Sequence, residues 1–235
     1  MIPGIDVSHH QTKTRQIDWT AVRAAGVRWA YIKSTQGSTY LDGQAFVNRD
    51  GCITNKIPFG FYHFGDVTSS PEDNAIHFVN TISDKQGPGA LPPVLAVEGS
   101  GGFKDMSAGE IDQWCLRFAK QYYTMMKRPL GLYGYTAGRS AEVTQSFPYL
   151  WIAQWTAGIT APSFTPKGAW NKWAFWQSSE KGQVPGIDGN VDLDWIASEA
   201  EFARLTKSGG FAWGTVVAIA AVALGAIWWQ KRRGG

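Results

Sequence analysis

The sequence carries little net charge and has no basic stripe along its main part. Its 22 Lys and Arg residues nearly balance 19 Asp and Glu residues, so the formal net charge is only +3. Proteins that bind nucleic acids need a concentrated basic surface, because neutralised phosphates supply much of the affinity. We therefore predict no nucleic-acid partner for this chain.

Cysteine is also scarce. The 235 residues include two, Cys52 and Cys115, whose spacing fits neither a metal site nor a disulfide framework. We expect both to be reduced and Cys115 to be buried in a helix, the usual environment of a free cysteine.

A single long apolar run stands near the C-terminal end. Residues 208–230 contain no charged side chain, and 211–230 is long enough to cross a bilayer as a helix of about 20 residues. Tryptophans lie near both ends of the run and a basic tail, 231–235, follows it, as membrane interfaces favour. We predict a transmembrane helix at 211–230, after a short linker at 206–210, that anchors the chain in a lipid bilayer. The alternative is a buried terminal helix, which normally keeps a polar face.

The same apolar run offers a face for helix–helix self-association. Gly214 and Ala218, and again Ala221 and Gly225, are small residues four positions apart. Small residues at this spacing let two membrane helices approach closely.

Short apolar runs alternate with helix-like segments along residues 1–205. Seven runs are predicted strands: 5–7, 29–33, 59–64, 94–98, 131–135, 150–154 and 173–177. Three segments are predicted helices: 18–25, 71–82 and 107–126, the last opened by the capping box Ser107-x-x-Glu110. This alternation predicts an α/β fold with a mainly parallel sheet closed into a TIM-like barrel. The later strands have little helix between them, so we expect the barrel to be irregular.

Polar side chains stand at the ends of the predicted strands. In parallel barrels the active site lies at the carboxyl ends of the strands, so these residues predict a cleft. They are Asp6, Lys33, His63, Glu98, Tyr135, Gln154 and Gln177.

Glu98 is suited to donate a proton. It follows the apolar run 94–97, and burial there would raise its pKa and keep it protonated near neutral pH. Glycoside hydrolysis needs such an acid, together with a group that stabilises the developing cation. The glycines after Glu98 leave the site open, and no helix clearly begins there, so a phosphate loop fits less well.

Several motifs resemble glycoside hydrolase family 25, the lysozymes that include many phage and bacterial muramidases. The resemblance covers residues 2 to about 197, and its blocks stand in the family's order. They are Gly4-Ile-Asp-Val-Ser-His-His-Gln, Ile17-Asp-Trp, Val22-Arg-Ala-Ala-Gly, Ile32-Lys-Ser-Thr-Gln-Gly, Gly60-Phe-Tyr-His-Phe, Leu150-Trp-Ile-Ala-Gln, Trp176-Gln-Ser-Ser and Val184-Pro-Gly-Ile-Asp-Gly-Asn-Val-Asp-Leu-Asp.

The resemblance implies a flattened β/α barrel that cleaves the β-1,4 bond between N-acetylmuramic acid and N-acetylglucosamine with retention. Glu98 would be the general acid, Asp6 and Asp192 the other active-site carboxylates, and Tyr62 would line the subsite near the cleaved bond. The partner would be the glycan strands of peptidoglycan, and no cofactor or metal is expected. Two alternatives stay open. Asp6 would otherwise cap its own turn, and His9, His10 and His63 would otherwise form a metal site.

One position departs from the family pattern. The family usually carries Asp-x-Glu where this chain has Ala96-Val97-Glu98. The missing Asp is thought to position the substrate's N-acetyl group, and a methyl group can neither accept the amide proton nor balance positive charge. Three explanations stay open: a slow but sufficient enzyme, replacement by Asp6 or Asp192, or an evolved or engineered inactivation.

Two functions therefore compete at this stage. The first is a membrane-anchored muramidase, used by a phage or similar virus to breach the wall during infection or release. We expect a virus because residues 1–6 lack the basic and apolar runs of a secretory leader. The second is a catalytically weak peptidoglycan-binding module of a membrane-bound assembly, which Ala96 favours.

Overall fold

The computed structural model describes residues 1–87, 89–134, 139–155, 161–163 and 168–207. Its strands are β1 (Ile2–Val7), β2 (Trp29–Gln36), β3 (Tyr40–Leu41), β4 (Phe59–Phe64), β5 (Val94–Val97), β6 (Gly131–Gly134), β7 (Tyr149–Ala153), β8 (Phe175–Gly182) and β9 (Val191–Ile196). Its α-helices are α1 (Trp19–Ala24), α2 (Ala45–Thr54), α3 (Pro71–Ile82), α4 (Ala108–Met126), α5 (Ala141–Ser146) and α6 (Glu199–Thr206).

Eight of these strands close into a barrel. The order is β1-β9-β8-β7-β6-β5-β4-β2, and β1 also pairs with β2 to complete the ring, while β3 extends β2 at one side. The ring is parallel from β1 through β2 and β4 to β8, but β9 runs antiparallel to both of its neighbours. The α/β barrel predicted from the sequence is confirmed, and β9 is its irregular element.

An apolar layer fills the barrel below its carboxyl edge. Tyr31 stacks on Trp151 with ring centroids 4.7 Å apart, and Phe175 meets Tyr31 edge-on. Gly4 lies against the indole of Trp29, where an added Cβ would come within 2.2 Å of the ring. The opening motif therefore needs glycine at this position to seat β1 against β2.

Besides the apolar layer inside the barrel, a second hydrophobic core lies between the barrel and the helices that cover it. Its large buried side chains include Phe78, Phe118 and Tyr122, from the packed pair α3 and α4. Both cysteines, Cys52 and Cys115, are buried free thiols, as expected.

Local capping signals fix most helix starts. The predicted helices agree with α1, α3 and α4, and the capping box at Ser107 and Glu110 is present. The sequence interpretation missed α2, α5, α6, β3 and β9. Of these, α2 begins at Ala45, and its N-cap residue, Gln44, makes no side-chain capping hydrogen bond, so the helix lacks the usual start signal; it also carries Gly51 inside it.

No helix among the residues that the structure describes is both long and apolar enough to cross a membrane. The predicted transmembrane helix at 211–230, most of the linker at 206–210 and the basic tail at 231–235 lie outside the described residues. They remain predictions.

Candidate active site

The carboxyl edge of the barrel gathers acidic side chains from opposite walls. Asp6 lies near the end of β1, and Glu98 directly follows β5. Because β9 runs against the other strands, its first residues lie at this same edge, and Asp192 pairs in register with Asp6. Asp6, Asp192 and Glu98 all line one cleft of about 260 Å³.

Asp6 is held by a chain of hydrogen bonds. The amide Nε2 of Gln177 donates to its Oδ2 at 2.9 Å. The oxygen Oε1 of Gln177 in turn accepts from the hydroxyl of Tyr133 at 3.0 Å and from Nε1 of Trp155 at 3.1 Å. Asp6 is 6% exposed. Burial, followed by the charges of Asp192 and Asp194, raises the pKa of Asp6 well above its usual range.

A third aspartate, Asp194, lies deeper on the same face of β9. It is fully buried, and its Oδ1 accepts a hydrogen bond from Nε1 of Trp151 at 3.0 Å. Burial and the neighbouring charge of Asp192 raise its pKa. Burial also raises the pKa of Asp192 to about 6, and a contact with Asp6 opposes that rise.

Glu98 is fixed by a closely packed turn. It directly precedes a short 3-10 helix at Gly99–Gly101, and Gly102 after that helix has φ 90°, a left-handed conformation that favours glycine. A Cβ on Gly101 would come within 2.2 Å of the carbonyl oxygen of Gly65. The glycines therefore let this turn pack against the loop after β4, which keeps Glu98 at the rim of the cleft.

The environment of Glu98 favours its protonated form. Burial raises its pKa to about 7, and the charge of Asp192 adds to the rise, whereas Lys33 opposes it. Lys33 is itself buried, its Nζ donates to Oε1 of Gln36 at 2.8 Å, and burial lowers its pKa. Near neutral pH the cleft thus holds a carboxylic acid on one wall and an acidic cluster on the other. This arrangement can protonate a leaving oxygen and stabilise a positive charge.

Comparison with known proteins assigns the chain to a family. Residues 5–187 match the model of Glycosyl hydrolases family 25. This chain belongs to that family. Lysozyme M1 of Streptomyces globisporus is 33% identical over 203 residues, which cover 81% of this chain and 66% of that protein. The chain therefore spans about two thirds of that relative's length, and the predicted enzyme class, a glycoside hydrolase, is confirmed.

Solved structures of muramidases have the same fold as this family 25 chain. The bacterial lysozyme from Streptomyces coelicolor is 29% identical with a TM-score of 0.69, over 87% of this chain and 95% of that one. A muramidase from Acremonium alcalophilum is 26% identical with a TM-score of 0.72, over 88% and 99% of the two chains.

Most of the site residues that the sequence predicts for this family 25 chain lie in the cleft. Besides the three carboxylates, its lining includes Lys33, Tyr62, Gln177 and Ala96, the position of the missing aspartate. Tyr62 is half-buried, and burial raises its pKa well above the usual range. Tyr135 lies outside the described residues, so its predicted role remains a prediction.

His63 and Gln154 lie elsewhere. His63 is fully buried on the opposite face of β4 from Tyr62, between Oγ1 of Thr35 at 2.8 Å and Oδ1 of Asn74 at 3.0 Å. Successive residues of a strand face opposite sides, so Tyr62 and His63 cannot both reach the cleft. The substrate contact predicted for His63 is therefore wrong, and burial lowers its pKa to about 3. Gln154 does not line the cleft, and its backbone carbonyl accepts from Nε1 of Trp176.

Sequence interpretation also missed three residues of the site. Asp194 follows Asp192 by two positions, which is the spacing that puts both on one face of a strand. Trp155 follows the predicted Gln154, lines the cleft and is 56% exposed, as a surface for a sugar ring would be. Tyr133 lies two residues before the predicted Tyr135 and lines the cleft directly.

Proposed function

We propose that this chain is a lysozyme-type muramidase that hydrolyses the β-1,4 bond between N-acetylmuramic acid and N-acetylglucosamine in bacterial peptidoglycan. The observation that carries this proposal is the placement of Glu98 in a cleft whose opposite wall presents Asp6 and Asp192, where burial raises the pKa of Glu98 to about 7. Membership of family 25 and the similarity to solved muramidases support the same substrate class.

The cleft residues define the proposed steps. Protonated Glu98 donates its proton to the glycosidic oxygen as the bond from that oxygen to the anomeric carbon breaks. Ionised Asp192 stabilises the positive charge that develops on the sugar. As that bond breaks, the oxygen of the substrate's own N-acetyl group attacks the anomeric carbon and forms a five-membered ring. Water then attacks the same carbon and opens this ring, while the Glu98 carboxylate takes up the proton that the water releases. Two displacements at one carbon retain its configuration.

The raised pKa values predict a narrow pH optimum. Above about pH 7, Glu98 loses the proton that it must donate, so kcat/KM falls as the pH rises. Below about pH 6, Asp192 becomes protonated and its stabilising charge is lost, so kcat/KM falls again. We expect a bell-shaped profile with a maximum between these values, measured on soluble glycan fragments at constant ionic strength. A flat profile across this range would show that neither group limits the reaction.

Identification of the new reducing ends tests the proposed bond specificity. Purified peptidoglycan is digested, the products are reduced with borohydride, and the reduced sugar is identified by mass spectrometry. Cleavage at the proposed bond leaves every new reducing end on N-acetylmuramic acid. New ends on N-acetylglucosamine would instead assign the chain to a different glycosidase specificity.

A second candidate function is a catalytically weakened peptidoglycan-binding module. The observation that favours it is the position of Ala96, which lines the cleft two residues before Glu98 and so presents a methyl group beside the acid. Sedimentation with purified walls and clearing of a wall suspension separate the two candidates. A binding module sediments with the walls without clearing them, whereas a muramidase clears them.

We further propose that residues 211–230 anchor the chain in a membrane, which rests on their apolar sequence and flanking aromatic and basic residues. Full-length chain should sediment with lipid vesicles, whereas residues 1–207 alone should stay in the supernatant. If both sediment with the vesicles to the same extent, residues 211–230 are not a membrane anchor. A viral role during infection or release remains a prediction from the sequence.

A further inference from the structure

Asp194 has an unusual environment for an aspartate. It is fully buried beneath the cleft, in register with Gly4 of β1 and with Gln177 of β8. Its Oδ1 accepts from Trp151, but its Oδ2 has no amide, amine or hydroxyl donor within the described part of the chain. The carboxyl group of Asp6 lies next to it, because the amide of Gln177, which pairs in register with Asp194, donates to Asp6. Asp6 therefore lies between Asp194 and Asp192, and its carboxyl influences the pKa of both.

Two carboxyl groups in contact and away from water cannot both be ionised, because their charges repel strongly where the dielectric constant is low. A proton between them removes this repulsion and gives the second oxygen of Asp194 the donor that it lacks. Lys33 lines the same cleft, but its Nζ donates to Gln36, and the acids that raise its pKa are Asp42 and Glu98. Within the described part of the chain, the titratable groups that face the pair are Asp192 on β9 and the phenols of Tyr31 on β2, Tyr62 on β4 and Tyr133 on β6. Glu98, Lys33 and His10 line the same cleft.

We infer that Asp194 is a positioning residue that shares one proton with Asp6 and so holds the Asp6 carboxyl in its place beside Asp192. The inference assigns Asp6 and Asp194 a single negative charge between them. The consequence of that charge for catalysis rests on the proposed hydrolysis. With only one charge in the pair, Asp192 can ionise while Glu98 stays protonated. Two full charges there would repel the charge on Asp192 and drive it to its neutral form.

Asp194→Asn separates this role from a merely structural one. The asparagine keeps an oxygen for Trp151 and gives Asp6 an amide donor, so the packing is preserved. Asp6 then no longer shares a proton and carries a full charge next to Asp192. That charge raises the pKa of Asp192, and we expect the acid limb of the kcat/KM profile to move upward by about one pH unit.

The shared proton can also be observed without any activity. In full-length chain labelled with carbon-13 at the aspartate carboxyls, the wild type should keep an aspartate signal with the chemical shift of a protonated carboxyl at neutral pH. That signal should be absent in both Asp194→Asn and Asp6→Asn. Fully ionised aspartates in the wild type, or an unchanged signal in Asp194→Asn, would overturn the inference. This readout stands even if the chain hydrolyses no peptidoglycan, so failure of the proposed function is distinguished from failure of the pair.

Ser178→Ala is the matched control for the pH profile. Ser178 lies on β8 next to Gln177 but faces the other side, where its Oγ donates to the carbonyl oxygen of Leu193 and accepts from Nε1 of Trp195. Its loss removes buried hydrogen bonds from the same strand pair without touching the acidic cluster, so both limbs should stay in place. If Asp194→Asn also lowers the rate at every pH and leaves both limbs unmoved, the role is structural and the inference is wrong.

Discussion

Glu98→Gln should lower kcat for glycan hydrolysis by about a thousandfold, the typical contribution of general acid catalysis. Glutamine has the shape of the protonated acid, but its amide protons are not acidic enough to be transferred to the leaving oxygen. Burial already favours the neutral form of Glu98, so the neutral amide should fit without loss of stability. Clearing of a suspension of purified walls and kcat on soluble fragments measure the effect.

Glu142→Gln is the control for this substitution. Glu142 is an exposed residue in the first turn of α5, so it undergoes the same chemical change away from the cleft. We expect it to clear walls at the parent rate, and we expect both variants to keep the parent melting temperature within a few degrees. A Glu98→Gln variant as active as the parent would show that another group donates the proton.

Ala96→Asp should increase kcat by about a hundredfold, which corresponds to about 3 kcal/mol of transition-state stabilisation. Ala96 and Glu98 are two residues apart and both line the cleft, so the new carboxylate would lie beside the acid and the bound sugar. There it can accept the N–H of the substrate's N-acetyl group and balance the positive charge formed when that group attacks. Its charge should also raise the pKa of Glu98 and shift the alkaline limb of the pH profile upward.

Ala96→Asn has the same size without the charge and serves as the control. If charge is what the position lacks, the asparagine variant should stay close to the parent rate. Equal gains in both variants would assign the effect to shape. If the parent and Glu98→Gln clear walls equally slowly and only Ala96→Asp is fast, the natural chain is the binding module and not the enzyme.

The barrel was predictable where local signals repeat along the chain. Alternating apolar strands and capped helices gave the α/β class, and the capping box at Ser107 gave the start of α4. The strand β9 was missed, and its direction could not have been predicted, because a short strand carries no local signal of its orientation and its pairing is decided by the rest of the barrel. That orientation is what brings Asp192 to the active edge.

The residues that line the cleft were predictable where a motif carried them, and less so where the direction of a side chain mattered. Asp6, Glu98 and Asp192 stand in motifs and do meet in the cleft. His63 was assigned by its place near a strand end, although the alternation from Tyr62 already put it on the other face. Asp194 was available from the same alternation, but its burial and its contact with Asp6 depend on the closed barrel.

Titration of Glu98 itself tests the central claim most directly. The carbon-13 shift of its side-chain carboxyl, assigned by comparison with Glu98→Gln, should move with a midpoint of about 7, because burial and Asp192 hold the proton on this side chain. A midpoint near 4.5, the ordinary value for a glutamate, would mean that Glu98 is ionised at neutral pH and cannot be the acid of this cleft.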